Sequence, residues 1–169
     1  MSAEELRAKI REVPDFPKPG ILFYDITTLL KDAVAYREAI DQMLAPYKGD
    51  AIDIVVGMES RGFIFSSPMA YLLDAGLVPV RKLGKLPAET ITVEYALEYG
   101  SNTLEIHRDA IAAGQKVLIV DDLLATGGTA KATCDLAEAL GGTVGGCAFL
   151  IELAFPGGRA RPEPPPGAA

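Results

Sequence analysis

At 169 residues and 49% hydrophobic, the chain is long enough to bury one real core and short enough to read as a single domain. Its net charge of −7 sets the summed field against polyanions, so neither nucleic acid nor an anionic membrane surface is an expected partner, and any phosphate site must be local. No apolar run approaches the roughly 18 residues of a bilayer span. Two cysteines, Cys134 and Cys147, are too few for a disulfide scaffold and lack metal-ligand spacing; they read as small buried side chains of a reduced, cytoplasmic protein.

The amino terminus, MSAEELRAKI, is a charged helix start with the Ser2/Glu5 spacing of a capping box, not the basic-then-apolar pattern of a signal peptide. In PDFPKPGILFYDIT, three prolines and Gly20 stiffen a loop that delivers Leu22, Phe23 and Tyr24 in extended form. A helix is expected at about 33–46, a strand at 53–58 (DIVVGM), a helix over GFIFSSPMAYLLDA and a short strand at 78–82 (VPVRK). Strands alternating with helices argue for parallel pairing through crossover helices. Residues 83–102 are mixed and turn-prone and read as a long surface excursion of the kind that often acts as a lid.

After NTLEIHRD and a turn at AAGQ comes the run Val117–Val120, too short and too uniformly aliphatic to have a polar face. It reads as a fully buried strand that stops at Asp121. From about Thr129, TAKATCDLAEAL has helical periodicity, with Thr133, Leu136, Ala137 and Leu140 on one side, and ends at Gly141 and Gly142. The strand VGGCAFLIEL completes the core, and the proline-rich 156–169 reads as a disordered tail beyond a single domain at 1–155.

Between the buried strand and its helix lies DDLLATGGT. A loop entering a helix exposes unpaired N–H groups at the positive end of the helix dipole, and small residues let an anion approach them. Ala125, Thr126, Gly127, Gly128 and Thr129 therefore read as a phosphate cradle, neither a Walker A loop nor a GxGxxG turn. Asp121 and Asp122 would repel a phosphate unless they face sugar hydroxyls or a metal ion. A bare Asp-Asp pair is more often a solvated strand end, but one ligand carrying a phosphate and a diol, a ribose 5-phosphate unit, satisfies both halves of this stretch. A second turn with exposed N–H groups, Glu59, Ser60, Arg61 and Gly62, follows DIVVGM and carries an arginine suited to bidentate phosphate contact.

VLIVDDLLATGGT resembles the phosphoribosyl-pyrophosphate motif of the type I phosphoribosyltransferases, and the form DDLLATGGT is similar to that of the adenine phosphoribosyltransferases. The resemblance extends in order through FPKPGILFYDIT, ESRGFIF, RKLGKLP and LEYGSNTLEI, from Phe16 to about Leu153. It implies an α/β fold, a parallel sheet flanked by helices, with a small hood from about residues 1–30 and a mobile catalytic loop. The implied reaction transfers the 5-phosphoribosyl group from phosphoribosyl pyrophosphate to adenine, giving AMP and pyrophosphate, with Mg2+ bound mainly through the substrate, in a homodimer.

The same resemblance implies the remaining roles. Glu59, Ser60 and Arg61, with a cis peptide between Glu59 and Ser60, bind pyrophosphate together with Arg81, Lys82 and Lys85 of RKLGK. Glu98 of LEYG approaches the purine N7 as the catalytic acid or base. Phe23 stacks on the base, the backbone of Leu22 reads its edge, and Leu153 closes the other side. His107 has no partner at catalytic spacing and receives no role. Two features depart from the family: Tyr24 stands where many relatives have arginine, and the tail is proline-rich where relatives continue into an apolar strand. Alternatives are transfer to another nucleobase, or a non-catalytic sugar-phosphate-binding regulator on the same fold.

Overall fold

The computed structural model describes residues 1–96, 100–122 and 128–154. Helix α1 (Ala3–Ala8) opens with the capping box read from the sequence: Glu5 N donates to Ser2 Oγ and Ser2 N donates to Glu5 Oε1. Strands β1 (Arg11–Pro14) and β2 (Leu22–Asp25) then form a two-stranded antiparallel sheet of their own, with Val13 opposite Phe23. The proline-stiffened loop joins them, and its Phe16–Pro17 bond is cis. A short α2 (Thr27–Leu30) leads to α3 (Ala33–Leu44), whose first amides are capped by the Asp32 carboxylate, and a 3-10 turn covers Ala45–Tyr47.

Next come β3 (Ile54–Met58), α4 (Gly62–Leu72), β4 (Gly76–Lys82), β5 (Thr90–Ala96), β6 (Ser101–His107), β7 (Lys116–Asp121), α5 (Gly128–Ala139), β8 (Thr143–Phe149) and α6 (Leu150–Ala154). Among the described residues the six later strands form one sheet in the order β5-β6-β4-β3-β7-β8. The four from β4 to β8 pair in parallel, as expected from the alternation of strands and helices. The edge differs from that expectation. Strands β5 and β6 are antiparallel to each other, and β6 is antiparallel to β4. The excursion at 83–102 thus contains most of a β-hairpin, because Ile91, Val93 and Tyr95 alternate with outward residues and pack their side chains against the core.

The continuous apolar runs of β3 and β7 are explained by burial on both faces. Val55, Leu118 and Val120 point to the side covered by α1, α3, α4 and α6; Val56, Val117 and Ile119 point to the side covered by α5. On α5 the expected face is the observed one, with Thr133, Leu136 and Ala137 buried and Leu140 packed against the same cluster. The last strand is shorter than its apolar sequence suggested. It ends at Phe149, and Leu150–Ala154 turn into α6, burying Leu150, Ile151 and Ala154 at helical spacing while Ile151 N donates to the Asp122 carbonyl. The tail lies outside the described residues.

Close packing of α4 on the sheet depends on Gly57. A Cβ there would lie 2.1 Å from Ser66 Oγ and 2.8 Å from Ser66 Cβ. Gly57→Ala is therefore expected to lower stability by about 2–3 kcal/mol. Pairing it with Ser66→Gly, in chemical denaturation of both singles and the double, should return a loss smaller than the sum of the singles by at least about 0.5 kcal/mol. Strict additivity would show that this contact does not limit the packing.

Candidate active site

Because β3 and β7 are parallel neighbours, with Gly57 opposite Val120, their carboxyl ends finish side by side. The chain leaves β3 for β4 on one flank and β7 for β8 on the other, so the crevice between them is a topological switch point. A cleft of about 240 Å3 lies there. Glu59, Ser60 and Arg61 reach it from the β3–α4 turn, Lys82 from β4, Asp121 and Asp122 from the end of β7, and Thr129 from the first turn of α5. Residues assigned from three separate stretches of sequence thus meet in one place. The Glu59–Ser60 peptide is cis, as the resemblance implied.

The β7 end crowds the start of α4. A Cβ on Gly62 would lie 3.0 Å from Asp121 Oδ1 and 3.1 Å from the Val120 carbonyl, so glycine lets this helix begin against the strand without displacing either group. Asp121 Oδ1 accepts a hydrogen bond from the Asp122 amide at 2.8 Å. Burial, then the adjoining Asp122 carboxylate, push the Asp121 carboxyl up to about 8. Asp122 is buried, and its Oδ2 is 2.8 Å from Arg61 Nε. Desolvation makes this ion pair sensitive to loss of either partner.

Arg61 also faces the hood strands. Its guanidinium carbon lies 5.3 Å from the Phe23 ring centroid, and Phe16 meets the same ring edge-on at 5.1 Å. A second, more apolar cleft of about 350 Å3, lined by Val13, Phe16 and Phe23 and the Arg11–Asp25 pair, opens beside it. Arg61 is the physical link between this apolar side and the carboxylate side. Leu22 is exposed on β2 opposite Pro14, and Leu153 lies on α6, part-buried against the first core cluster.

The basic residues are held by one carboxylate. Glu59 Oε1 accepts from the Lys82 amide at 2.6 Å and lies 3.4 Å from Arg81 Nε, while Oε2 is 2.9 Å from Lys85 Nζ. Burial works against ionisation of Glu59, but the Lys82 amide and the Lys85 ammonium outweigh it, and the carboxyl sits below its ordinary range. The side chain assigned to pyrophosphate is itself an anion that gathers three cation-bearing residues.

Two residues at this site were not singled out from sequence. Tyr95 of β5 lines the cleft. Glu105 of β6, only 3% exposed, accepts from the Leu86 amide at 2.8 Å and so pins the loop that carries Lys85. The alternation of β5 could have revealed Tyr95; nothing in LEIH marks Glu105, because its partner is a backbone group 19 residues away. Gly128 opens α5. Glu98, Ala125, Thr126 and Gly127 lie outside the described residues.

The arrangement offers cations, amides and carboxylates around one cleft at the end of a parallel sheet. The phosphoribosyl transferase domain family matches residues 27–165. The adenine phosphoribosyltransferase of Chloroflexus aurantiacus is 58% identical over 161 residues, which cover 95% of this chain and 93% of the relative. Among solved structures, the adenine phosphoribosyltransferase of Thermoanaerobacter pseudethanolicus superposes with a TM-score of 0.84 at 54% identity, over 88% of this chain and 86% of that one. The Saccharomyces cerevisiae enzyme, solved with adenine and an imino-altritol bisphosphate, superposes with a TM-score of 0.81 at 41% identity, over 87% and 86%.

The raised Asp121 carboxyl has a measurable consequence. In the folded protein it binds a proton up to about pH 8, whereas an unfolded aspartate releases it near 3.8, so this group costs stability progressively as pH rises between those values and by a constant amount above them. Asp121→Asn is expected to raise Tm, with a gain that grows from pH 5 to pH 8 and levels off beyond. At pH 8 it should reach at least about 2–4 °C, equivalent to about 1 kcal/mol. Thermal unfolding across that pH series showing a flat or negative difference would mean that Asp121 is ionised without penalty.

Proposed function

The chain belongs to the phosphoribosyl transferase domain family and, within it, to the adenine phosphoribosyltransferases, and on that footing we propose how its residues carry the reaction. Adenine and phosphoribosyl pyrophosphate are converted to AMP and pyrophosphate, a purine-salvage pentosyl transfer. The observation that carries the residue assignment is the convergence of the β3–α4 turn, Lys82 and the two β7 acids on one cleft.

In this reading the 5′-phosphate sits at the start of α5, against Ala125, Thr126, Gly127, Gly128 and Thr129, where N–H groups and hydroxyls donate to its oxygens. Asp121 and Asp122 receive the ribose hydroxyls. The diphosphate lies toward Ser60, Arg61, Arg81, Lys82 and Lys85, whose charge stabilises the departing pyrophosphate as the bond to C1 of the ribose weakens. The Glu59 carboxylate positions those cations, and its contribution to pyrophosphate binding is through them and through the turn's backbone. Adenine lies on Phe23, its edge against the Leu22 backbone and its far face toward Leu153. As adenine N9 bonds to C1 and the C1–O bond to pyrophosphate breaks, the purine gives up its ring proton, which the Glu98 carboxylate accepts at N7.

Family members generally require Mg2+ through the substrate. Among the described residues no group of three or more His, Cys, Asp or Glu side chains gathers as a metal cage. The Asp122 carboxylate, and Asp121 once it gives up its proton, together with substrate oxygens, would suit a cation that takes most of its ligands from substrate and water. When bound, the ion neutralises charge on the diphosphate. We also propose a homodimer and a cytoplasmic location; no helix among the described residues is long and apolar enough to cross a membrane.

Mixing the chain with adenine, phosphoribosyl pyrophosphate and Mg2+ is expected to release pyrophosphate, and a rate no higher than without protein would refute the assignment. Asp122→Asn should lower kcat/KM for phosphoribosyl pyrophosphate by roughly 10–100-fold, a larger effect than its effect on folding, because it replaces an acceptor oxygen and removes the charge paired with Arg61.

Glu98→Gln should instead lower kcat by about 100-fold or more and leave the KM for phosphoribosyl pyrophosphate within about three-fold of the parent. An equal loss in KM would reassign Glu98 to binding.

A further inference from the structure

The chain's two cysteines lie away from the proposed reaction but against each other. Cys134 stands on the buried face of α5, Cys147 is half-buried on β8, and their Sγ atoms are 3.9 Å apart across the helix–sheet packing. Each is the other's only thiol partner in the chain. A disulfide bond is about 2.05 Å long, so the sulfurs must close by about 2 Å, which rotation of two unbranched side chains can contribute to. The interval of 13 residues between them is a loop of the size that a native crosslink stabilises well.

Exposure sets the order of events. Cys147 lies on the last strand of the described sheet and is the more open of the two, whereas Cys134 is 3% exposed and shielded by the helix that carries it. The contact with Cys134 holds the Cys147 thiol below its ordinary range against the effect of burial, while the same contact, together with burial, pushes Cys134 up. Exposure makes Cys147 the first sulfur to meet an oxidant, and Cys134, with its Sγ 3.9 Å away, is the sulfur placed to resolve the product once it gives up its proton.

We propose that Cys134 and Cys147 form a reversible dithiol–disulfide site whose co-reactant is a hydroperoxide. The Cys147 thiolate attacks the peroxide, the O–O bond breaks, and the products are a sulfenic acid on Cys147 and an alcohol, or water from hydrogen peroxide. The Cys134 sulfur then attacks the sulfenic sulfur, forming the S–S bond and releasing water. The two thiols lose two electrons in all, which reduce the peroxide. A low-molecular-weight dithiol restores both thiols by exchange. A transient crosslink of this kind is compatible with a reducing compartment, and it spans α5, the helix whose first turn borders the cleft.

The test uses the full chain and hydrogen peroxide in small molar excess. Titration of thiols after denaturation should fall from two to none, the intact mass should drop by about 2 Da, Tm should rise by about 5–10 °C, and dithiothreitol should reverse all three. Cys134→Ser should divert the reaction to over-oxidation of Cys147, and Cys147→Ser should slow thiol loss at least about tenfold. Persistence of two thiols, a mass gain of about 32 Da on the unmodified sequence, or a crosslink between two chains would overturn the proposal. The mass and thiol readings on the unmodified chain decide it even where a variant fails to fold.

Discussion

Arg61 and Asp122 can pair only because two parallel strands end at the same level. Asp122 follows β7 and Arg61 follows β3, and the register that sets Gly57 against Val120 brings both turns to one edge of the sheet. Neighbouring elements are tied to the same two turns. Gly62 lets α4 begin against the Asp121 carboxylate, and the Ile151 amide, donating to the Asp122 carbonyl, ties the start of α6 to the same turn. A parallel sheet delivers this without further design, since its helix amino ends gather where its strands finish.

The hood is a separate matter of packing. Its two strands share no ladder with the main sheet, so its position relative to the cleft rests on side-chain contacts. Among the described residues these include Tyr24 against the first core cluster and Arg61 over the Phe23 ring. Arg61 thereby joins the two surfaces that, in the proposed binding mode, face the ring of the base and the hydroxyls of the sugar. A change at this single guanidinium would be felt on both.

Much of this was legible in the sequence, and for identifiable reasons. DIVVGM and VLIV announced buried strands because a continuous aliphatic run has no wet face, and ESRG and DDLLATGGT stood out as small and charged residues at strand–helix junctions, of which the structure brings Glu59, Ser60, Arg61, Asp121, Asp122 and Thr129 to one cleft. The six-strand order and the antiparallel edge were not legible, since pairing partners are set by long-range packing. The turn from β8 into α6 was hidden because AFLIEL is apolar at both strand and helix spacing. The resemblance implies that Glu59 belongs to the pyrophosphate turn, and the structure adds that its carboxylate contacts the Lys82 amide and Lys85 of RKLGK, a pairing across 23 and 26 residues that no local pattern encodes.

Several of the charges around the cleft are paired with one another. Arg61 is paired with Asp122, Lys85 and Arg81 with Glu59, and Asp121 retains its proton near neutral pH. Binding therefore exchanges partners more than it captures charge. In the proposed binding mode, phosphate oxygens displace Glu59 from its cations, and sugar hydroxyls replace Arg61 at Asp122. A simple anion satisfies the first exchange and leaves the second carboxylate uncompensated, whereas a sugar diol alone satisfies the second and leaves the cations with Glu59. A ligand that carries anionic oxygens and hydroxyl donors on one rigid frame completes both, so on the proposed assignment a preference for a phosphorylated pentose follows from the pairing of Arg61 with Asp122 and of Arg81 and Lys85 with Glu59.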